Sequence, residues 1–179
     1  MTDKVWDYKS NETDELAKQV RKNPDIVMTQ ETMAIHLIGL VPFKAGDTVM
    51  EPCRGKGAFY NSLPSFVEKH WCEINEGKDY LMYEGTVDIT LSNPPFIPRA
   101  LFWAFQKKAM DTTRRTIYWL INISSLNVFT PKRLTEMRDK GWYIQSFHMV
   151  SDKRWFGRYV WLEISKIPSK VFTWECKSF

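Results

Sequence analysis

The sequence predicts an α/β fold, a mostly parallel, doubly wound sheet that finishes in a C-terminal antiparallel hairpin. Three stretches carry that prediction. Thr48-Val-Met-Glu51 is a short apolar strand running straight into Pro52-Cys-Arg-Gly55-Lys-Gly57-Ala-Phe59. Strand, tight glycine loop and helix start, in that order, form the βα turn of such sheets. Val87-Asp-Ile-Thr-Leu-Ser-Asn93 has strand propensity and stops abruptly at Pro94-Pro95-Phe96, because neither proline can donate to a sheet ladder. Residues 142–150 and 159–166 read as two further strands joined through 151–158.

Composition bounds the class of protein before any motif does. The 179 residues fit one domain spanning 1–179, with an N-terminal extension over 1–25, large enough to bury a core without staples. Lys and Arg number 25 against 21 Asp and Glu, a formal charge of +4. That mild basic bias suits a polyanionic partner without demanding one. Eight tryptophans are many for this length; core packing is the default for each, and the surplus suits a surface or pocket. Cys53, Cys72 and Cys176 make an odd count without CxxC spacing, so neither a disulfide framework nor a metal site is indicated. His36, His70 and His148 are scattered and read as structural or surface residues. The start of the chain is polar, and no apolar run approaches the roughly 18–20 residues of a membrane span. The expectation is a soluble, cytoplasmic protein with no membrane partner.

Taken in order, residues 1–12 are polar and loosely held. Over 13–21, Leu16, Ala17 and Val20 share a face and Asn23-Pro24 supplies a stop, which predicts a short helix. A second helix is expected over 29–40, opened by Thr29 or Gln30, with Met33, Ile35, Leu37, Ile38 and Leu40 as a broad apolar face. Pro42 and the Lys44-Ala-Gly-Asp47 turn end it. After the glycine loop, His70-Trp-Cys-Glu-Ile74 reads as the second strand. In the third, Val87, Ile89 and Leu91 alternate with Asp88 and Thr90, giving one apolar face. A helix over 99–110 follows from the spacing of Ala100, Leu101, Ala104 and Phe105, and the basic run Lys107, Lys108, Arg114 and Arg115 reads as its solvated end. Residues 116–123 are the most strand-like in the chain and should lie centrally. A loop over 124–131, a helix from Pro131 to near Gly141, the hairpin, and an edge strand over 171–174 complete the reading.

The chemistry collects at the strand ends. Glycines in a βα turn let backbone approach a ligand, so Gly55 and Gly57 mark a binding loop. Glu51 at the strand end is placed to accept from a cationic or hydroxyl-bearing cofactor, and the Gly-Lys-Ser/Thr ending of a phosphate loop is missing. Glu73, near the end of the second strand, occupies the usual place of the carboxylate that accepts from ribose hydroxyls. Asp79 is suited to an adenine amino group, with Tyr80 packing against the base. Asn93-Pro94-Pro95-Phe96 combines an amide, carbonyls without competing local N–H groups, and a ring. Such a corner suits a planar ring carrying an amino group, although Asn before Pro is also a common structural exit from a strand. Lys153-Arg154-Trp155-Phe-Gly-Arg158 mixes cations with aromatics, a pairing suited to phosphate and base contact or equally to a solvated hairpin tip.

With these residues laid out, the chain resembles the S-adenosylmethionine-dependent amino-methyltransferases, in particular the adenine-specific DNA methyltransferases. Glu51-Pro52-Cys-Arg-Gly55-Lys-Gly57-Ala-Phe59 resembles their cofactor loop, and Asn93-Pro94-Pro95-Phe96 their catalytic motif. Glu73 and Asp79 fall where the ribose- and adenine-binding acids belong, and the helix from Thr29 resembles the segment that helps hold the methionine end. The resemblance covers roughly 28–126 and the final hairpin. It implies a Rossmann-like class I methyltransferase fold, S-adenosylmethionine as cofactor, no metal, and DNA adenine as acceptor. Phe96, Lys153, Arg154, Trp155 and Arg158 would meet that acceptor. RNA adenine, a protein glutamine, or a catalytically silent nucleic-acid-binding subunit are the alternatives. Two departures stand out. Glu73 and Asp79 are six positions apart where the family places a helix and a third strand, so a sheet shortened by one strand is expected. There is also no separate target-recognition domain, so specificity would come from loops or from a partner in a homo- or hetero-oligomer. So compact a form would suit a phage or virus.

Overall fold

In the computed structural model, residues 28–151 and 158–169 are described. The helix expected over 13–21, the edge strand over 171–174, Cys176, and Lys153, Arg154 and Trp155 lie outside them. The described elements are α1 (Glu31–Ile38), β1 (Thr48–Glu51), α2 (Ala58–Ser62), β2 (Glu68–Trp71), β3 (Val87–Ser92), α3 (Arg99–Thr112), β4 (Thr113–Asn122), α4 (Pro131–Asp139), β5 (Tyr143–Val150) and β6 (Tyr159–Ser165).

Six strands form one sheet in the order β2-β1-β3-β4-β6-β5. β2, β1, β3 and β4 run parallel, while β6 pairs antiparallel with both β4 and β5. The parallel sheet with a terminal antiparallel hairpin is the architecture the sequence predicts. Where a third family strand was expected to be lost, Glu73 and Lys78 close a single bridge around a 3-10 turn at Ile74–Glu76. No strand fits in so few residues. β2 itself ends at Trp71, three residues short of the expected limit, because Glu73 already caps that turn.

Apolar side chains cover both faces of the sheet. On one, Ala34, Leu37 and Ile38 of α1 and Phe59 of α2 pack over Val49, Ile89, Leu91, Tyr118, Leu120, Tyr159 and Trp161. Buried positions at i, i+3 and i+4 are what a helix turns toward a sheet. Trp161 stacks between Phe59 and Tyr118, with ring centroids at 5.3 and 5.5 Å. On the other face, α3 and α4 bury Phe102, Ala109, Met110 and Met137 against Ile117, Trp119, Ile121, Val160, Leu162 and Ile164. α4 opens with Thr130 accepting from the Arg133 N–H. It closes with Trp142 N–H on Met137 and Gly141 N–H on Arg138, a Schellman ending in which Trp142 and Met137 also share the core.

Two readings of the sequence need correction. The alternation in β3 predicts one apolar and one polar face, yet Thr90 and Ser92 are as buried as Ile89 and Leu91. β3 lies between β1 and β4 under helices on both sides, so its polar groups find partners inside: Thr90 Oγ1 meets Thr113 Oγ1 at 2.6 Å. The basic run 107–115 is not a solvated helix end either, because α3 passes into β4 at Thr112–Thr113 without a loop. Arg115 makes a paired contact with Asp47, and Arg114 reaches Asp88, Thr86 and Thr48. These bonds tie the first ends of β1, β3 and β4 together, opposite the edge at which the glycine loop and the proline corner emerge.

Candidate functional site

β1 and β3 are hydrogen-bonded neighbours in parallel, with Val49 opposite Ile89 and Met50 opposite Thr90. Their C-terminal ends therefore leave the sheet side by side, and the glycine loop and the proline corner open on one edge. This is the usual binding edge of an open α/β sheet. Ser92 Oγ donates to the Cys53 carbonyl at 3.5 Å, a direct tie between the two turns.

The loop is shaped by backbone. Gly55 and Gly57 have φ of +53° and +83°, where a side chain is strained, and a Cβ on Gly57 would also stand 3.2 Å from the Asn61 amide. Over Gly55 lies the Met28 thioether, 3.4 Å from where a Cβ would be. Pro52 is buried at the loop's start. Glu73 holds the loop from below: its Oε2 accepts from the Gly55 N–H at 2.7 Å and its Oε1 from the Asn75 N–H at 3.2 Å. The carboxylate that the sequence assigns to a ribose thus also fastens the loop. On the rim, the Arg54 guanidinium lies 3.8 Å from the Trp71 ring centroid and also pairs with Glu76.

Glu51 is the chemically unusual member. It is 1% exposed, and its Oε2 has no hydrogen-bond partner. Burial pushes its carboxyl up to about 9, against the pull of the Tyr60 backbone N–H and of Arg54, while the Glu73 charge pushes the same way as burial. A buried, half-satisfied carboxyl beside a glycine loop is poised to take a donor or a cation.

At the other turn, Asn93 Nδ2 donates to Thr29 Oγ1 at 3.3 Å, which joins two predicted site residues 64 positions apart. Pro94 is buried, Pro95 and Phe96 are half-buried, and the Ile97–Pro98 bond is cis. The Phe96 ring meets Tyr159 edge-on at 6.3 Å and packs against both core clusters, so one edge of the ring is fixed. Tyr159 opens β6 opposite Asn122, the last residue of β4. The exposed Arg158, just before it, therefore stands at the same edge of the sheet as Asn93.

Two expected side chains, those of Phe59 and Tyr80, do not reach this edge. Phe59 is 1% exposed and stacks on Trp161, so its ring seats α2 on the sheet and does not face the loop. Tyr80, expected against a base, is 1% exposed, tilts against Phe105 and contacts Thr112 Oγ1 through its hydroxyl at 3.3 Å. The short Glu73–Asp79 connection folds it under α3. Asp79 accepts from the Leu81 N–H at 2.9 Å and caps the 3-10 turn Tyr80–Met82. Met28, Ser92 and Tyr159 are contributors that one-dimensional reading missed, because strand register brings Ser92 and Tyr159 to the site and packing over Gly55 brings Met28.

The sequence matches no protein-family model, and no curated protein matches it. Solved structures do match, at low identity. A proposed RNA methyltransferase from Pyrococcus horikoshii aligns with TM-score 0.56 and 15% identity over 87% of this chain and 99% of that one. TrmN from Thermus thermophilus aligns with TM-score 0.61 and 16% identity over 85% of this chain and 53% of that one. Magnesium protoporphyrin IX methyltransferase from Synechocystis, solved with S-adenosylmethionine bound, aligns with TM-score 0.55 and 12% identity over 92% and 99%. The chain has the Rossmann-like fold of the class I S-adenosylmethionine-dependent methyltransferases.

Proposed function

We propose that this protein transfers a methyl group from S-adenosylmethionine to the exocyclic amino nitrogen of adenine in DNA. The observation that carries the reading is the adjacency of β1 and β3, which sets the half-satisfied Glu51 carboxyl and the Asn93 amide at neighbouring exits of one sheet edge. The fold supports the cofactor, and so does the fit of the residues: a backbone loop open to close approach, and a buried acid with an oxygen to spare. Thr29, Glu51, Pro52, Gly55, Gly57, Glu73 and Asp79 would form the cofactor side. S-adenosylmethionine supplies an electrophilic methyl on a sulfonium, and no metal is required for its transfer.

What remains for the chain is orientation and the handling of charge. An adenine amino nitrogen is a poor nucleophile because its lone pair is drawn into the ring. In this reading the Asn93 Oδ1 and the Pro94 carbonyl accept the two amino hydrogens and turn the lone pair toward the methyl group. The bond from Asn93 Nδ2 to Thr29 supports this by holding the amide in place. Phe96, held from behind by Tyr159, would stack on the base. A base in a duplex would have to be flipped into this corner at a cost of roughly a few kcal/mol. Arg158, with the preceding Lys153, Arg154 and Trp155, would contact the nucleic acid, and a partner subunit could add sequence recognition.

An RNA acceptor is the second reading, favoured by the RNA methyltransferase among the fold neighbours. Labelled methyl transfer to unmethylated DNA, RNA and protein substrates separates the readings. Label in DNA at adenine N6 is expected; label in RNA alone would move the assignment, and label in none would leave a silent binding subunit.

A further inference from the structure

Two histidines 112 positions apart in sequence meet at the surface. His36 lies in the last turn of α1 and His148 on β5, both exposed, with their Nε2 atoms 3.3 Å apart. Their ring centroids are 5.4 Å apart and the planes tilted by 46°, so the rings meet nitrogen to nitrogen rather than face to face. We propose that this pair binds a borderline divalent cation, zinc foremost, which clips α1 to the edge strand β5.

The separation suits a shared metal as well as a long hydrogen bond. At 3.3 Å the nitrogens stand at the long end of bonds from an N–H donor. A weak N–H···N contact between exposed rings gains little, since water offers each ring an equal partner. Two imidazole nitrogens on one tetrahedral zinc, each at about 2.0–2.1 Å, stand about 3.3–3.4 Å apart, the edge of the tetrahedron. Square-planar or octahedral neighbours at the same bond length would stand only about 2.9 Å apart. The observed spacing fits the tetrahedral ion, and neutral imidazole nitrogen is its common ligand.

Among the described residues no third His, Cys, Asp or Glu joins the pair. The remaining coordination positions therefore fall to water or to an added ligand, and affinity should be below that of a site with four protein ligands. The clip would have a structural consequence. α1 is already tied on its N-terminal side, where Thr29 accepts from Asn93. A cation between His36 and His148 would hold its other end to the far edge of the sheet.

The test is calorimetric titration of zinc chloride into the full chain at neutral pH, compared with His36→Ala, His148→Ala and His70→Ala. His70, which lies 3.0 Å from Glu68 on β2, controls for ordinary surface binding. The wild type and His70→Ala should take up one equivalent that His36→Ala and His148→Ala each lose. The wild-type Tm should rise by about 5 °C or more at a hundredfold excess over Kd, with little change in the two variants. Far-UV circular dichroism of each variant guards against loss of fold. No uptake by the wild type, or uptake that survives both His36→Ala and His148→Ala, would overturn the proposal.

Discussion

The Asn93 amide donates to the Thr29 hydroxyl, joining the end of β3 to the residues that lead into α1. The bond makes the proposed acceptor site and the segment before the first strand one mechanical unit. It also explains why a side chain at the end of a proline-bounded strand has a defined orientation: the prolines stiffen the backbone after it and Thr29 fixes its amide.

Asn93→Ala should lower methyl transfer by at least a hundredfold, the scale for losing one positioned polar group at a reacting centre, while cofactor affinity stays within a few-fold. Thr29→Val should cost less, roughly tenfold, because the amide remains but is no longer held. Single-turnover rates alongside calorimetric cofactor titration check both. An Asn93→Ala enzyme that methylates at the wild-type rate would remove this corner from the mechanism.

Gly57→Val should abolish cofactor binding. The position has φ of +83° and an added Cβ would stand 3.2 Å from Asn61, so the loop must change shape. Calorimetry with S-adenosylmethionine reads the loss directly, and unchanged affinity would contradict the loop assignment.

Glu51 predicts a proton signature. With its carboxyl near 9 in the folded chain, it is protonated at pH 7.5 and ionises on meeting a cationic ligand. Cofactor binding should therefore release close to one proton, seen as a dependence of the binding enthalpy on the ionisation heat of the buffer. Affinity should climb as pH rises toward 9. The stability linkage has the opposite sense: between the unfolded value of 4.5 and about 9, the folded chain holds a proton that the unfolded chain has lost, so stability falls as pH rises. Glu51→Gln should thus raise Tm by a few degrees at pH 8 while weakening cofactor binding. No change in Tm between Glu51→Gln and wild type at pH 8 would argue against the buried neutral acid.

Asp47 contributes to the acid limb, alongside Asp88, which the Arg114 guanidinium holds low in the same way. Hydrogen bonds from Arg115 hold the Asp47 carboxyl below its ordinary value, outweighing the upward push of burial. That stability is present above the unfolded value of 3.8 and is lost as pH falls through the lowered folded value. Arg115→Met should cost about 2 kcal/mol at pH 7, the worth of charge-assisted bonds to a buried group. The difference from wild type should shrink below pH 3. Denaturant titrations at the two pH values check this.

Much of the framework was legible along the chain because its signals are local. Proline ends β3, the glycines turn the chain after β1, Thr130-Pro131 opens α4, and the two final strands appear as apolar runs on either side of a polar connection. Hidden from such reading was everything that depends on what lies across the sheet. Nothing local says that Thr90 and Ser92 are buried, that Tyr80 turns under α3, or that Arg114 and Arg115 pair with carboxylates at the start of β1 and β3.

The sequence by itself determined the order of elements and the two turns that carry chemistry, since turn residues act through their own backbone restrictions. Tertiary structure alone decided that those turns share an edge, that Glu51 keeps an oxygen without a partner, and that His36 meets His148. The reason is that strand order and burial are collective: each follows from which faces pack together, and no single stretch of the chain contains that information.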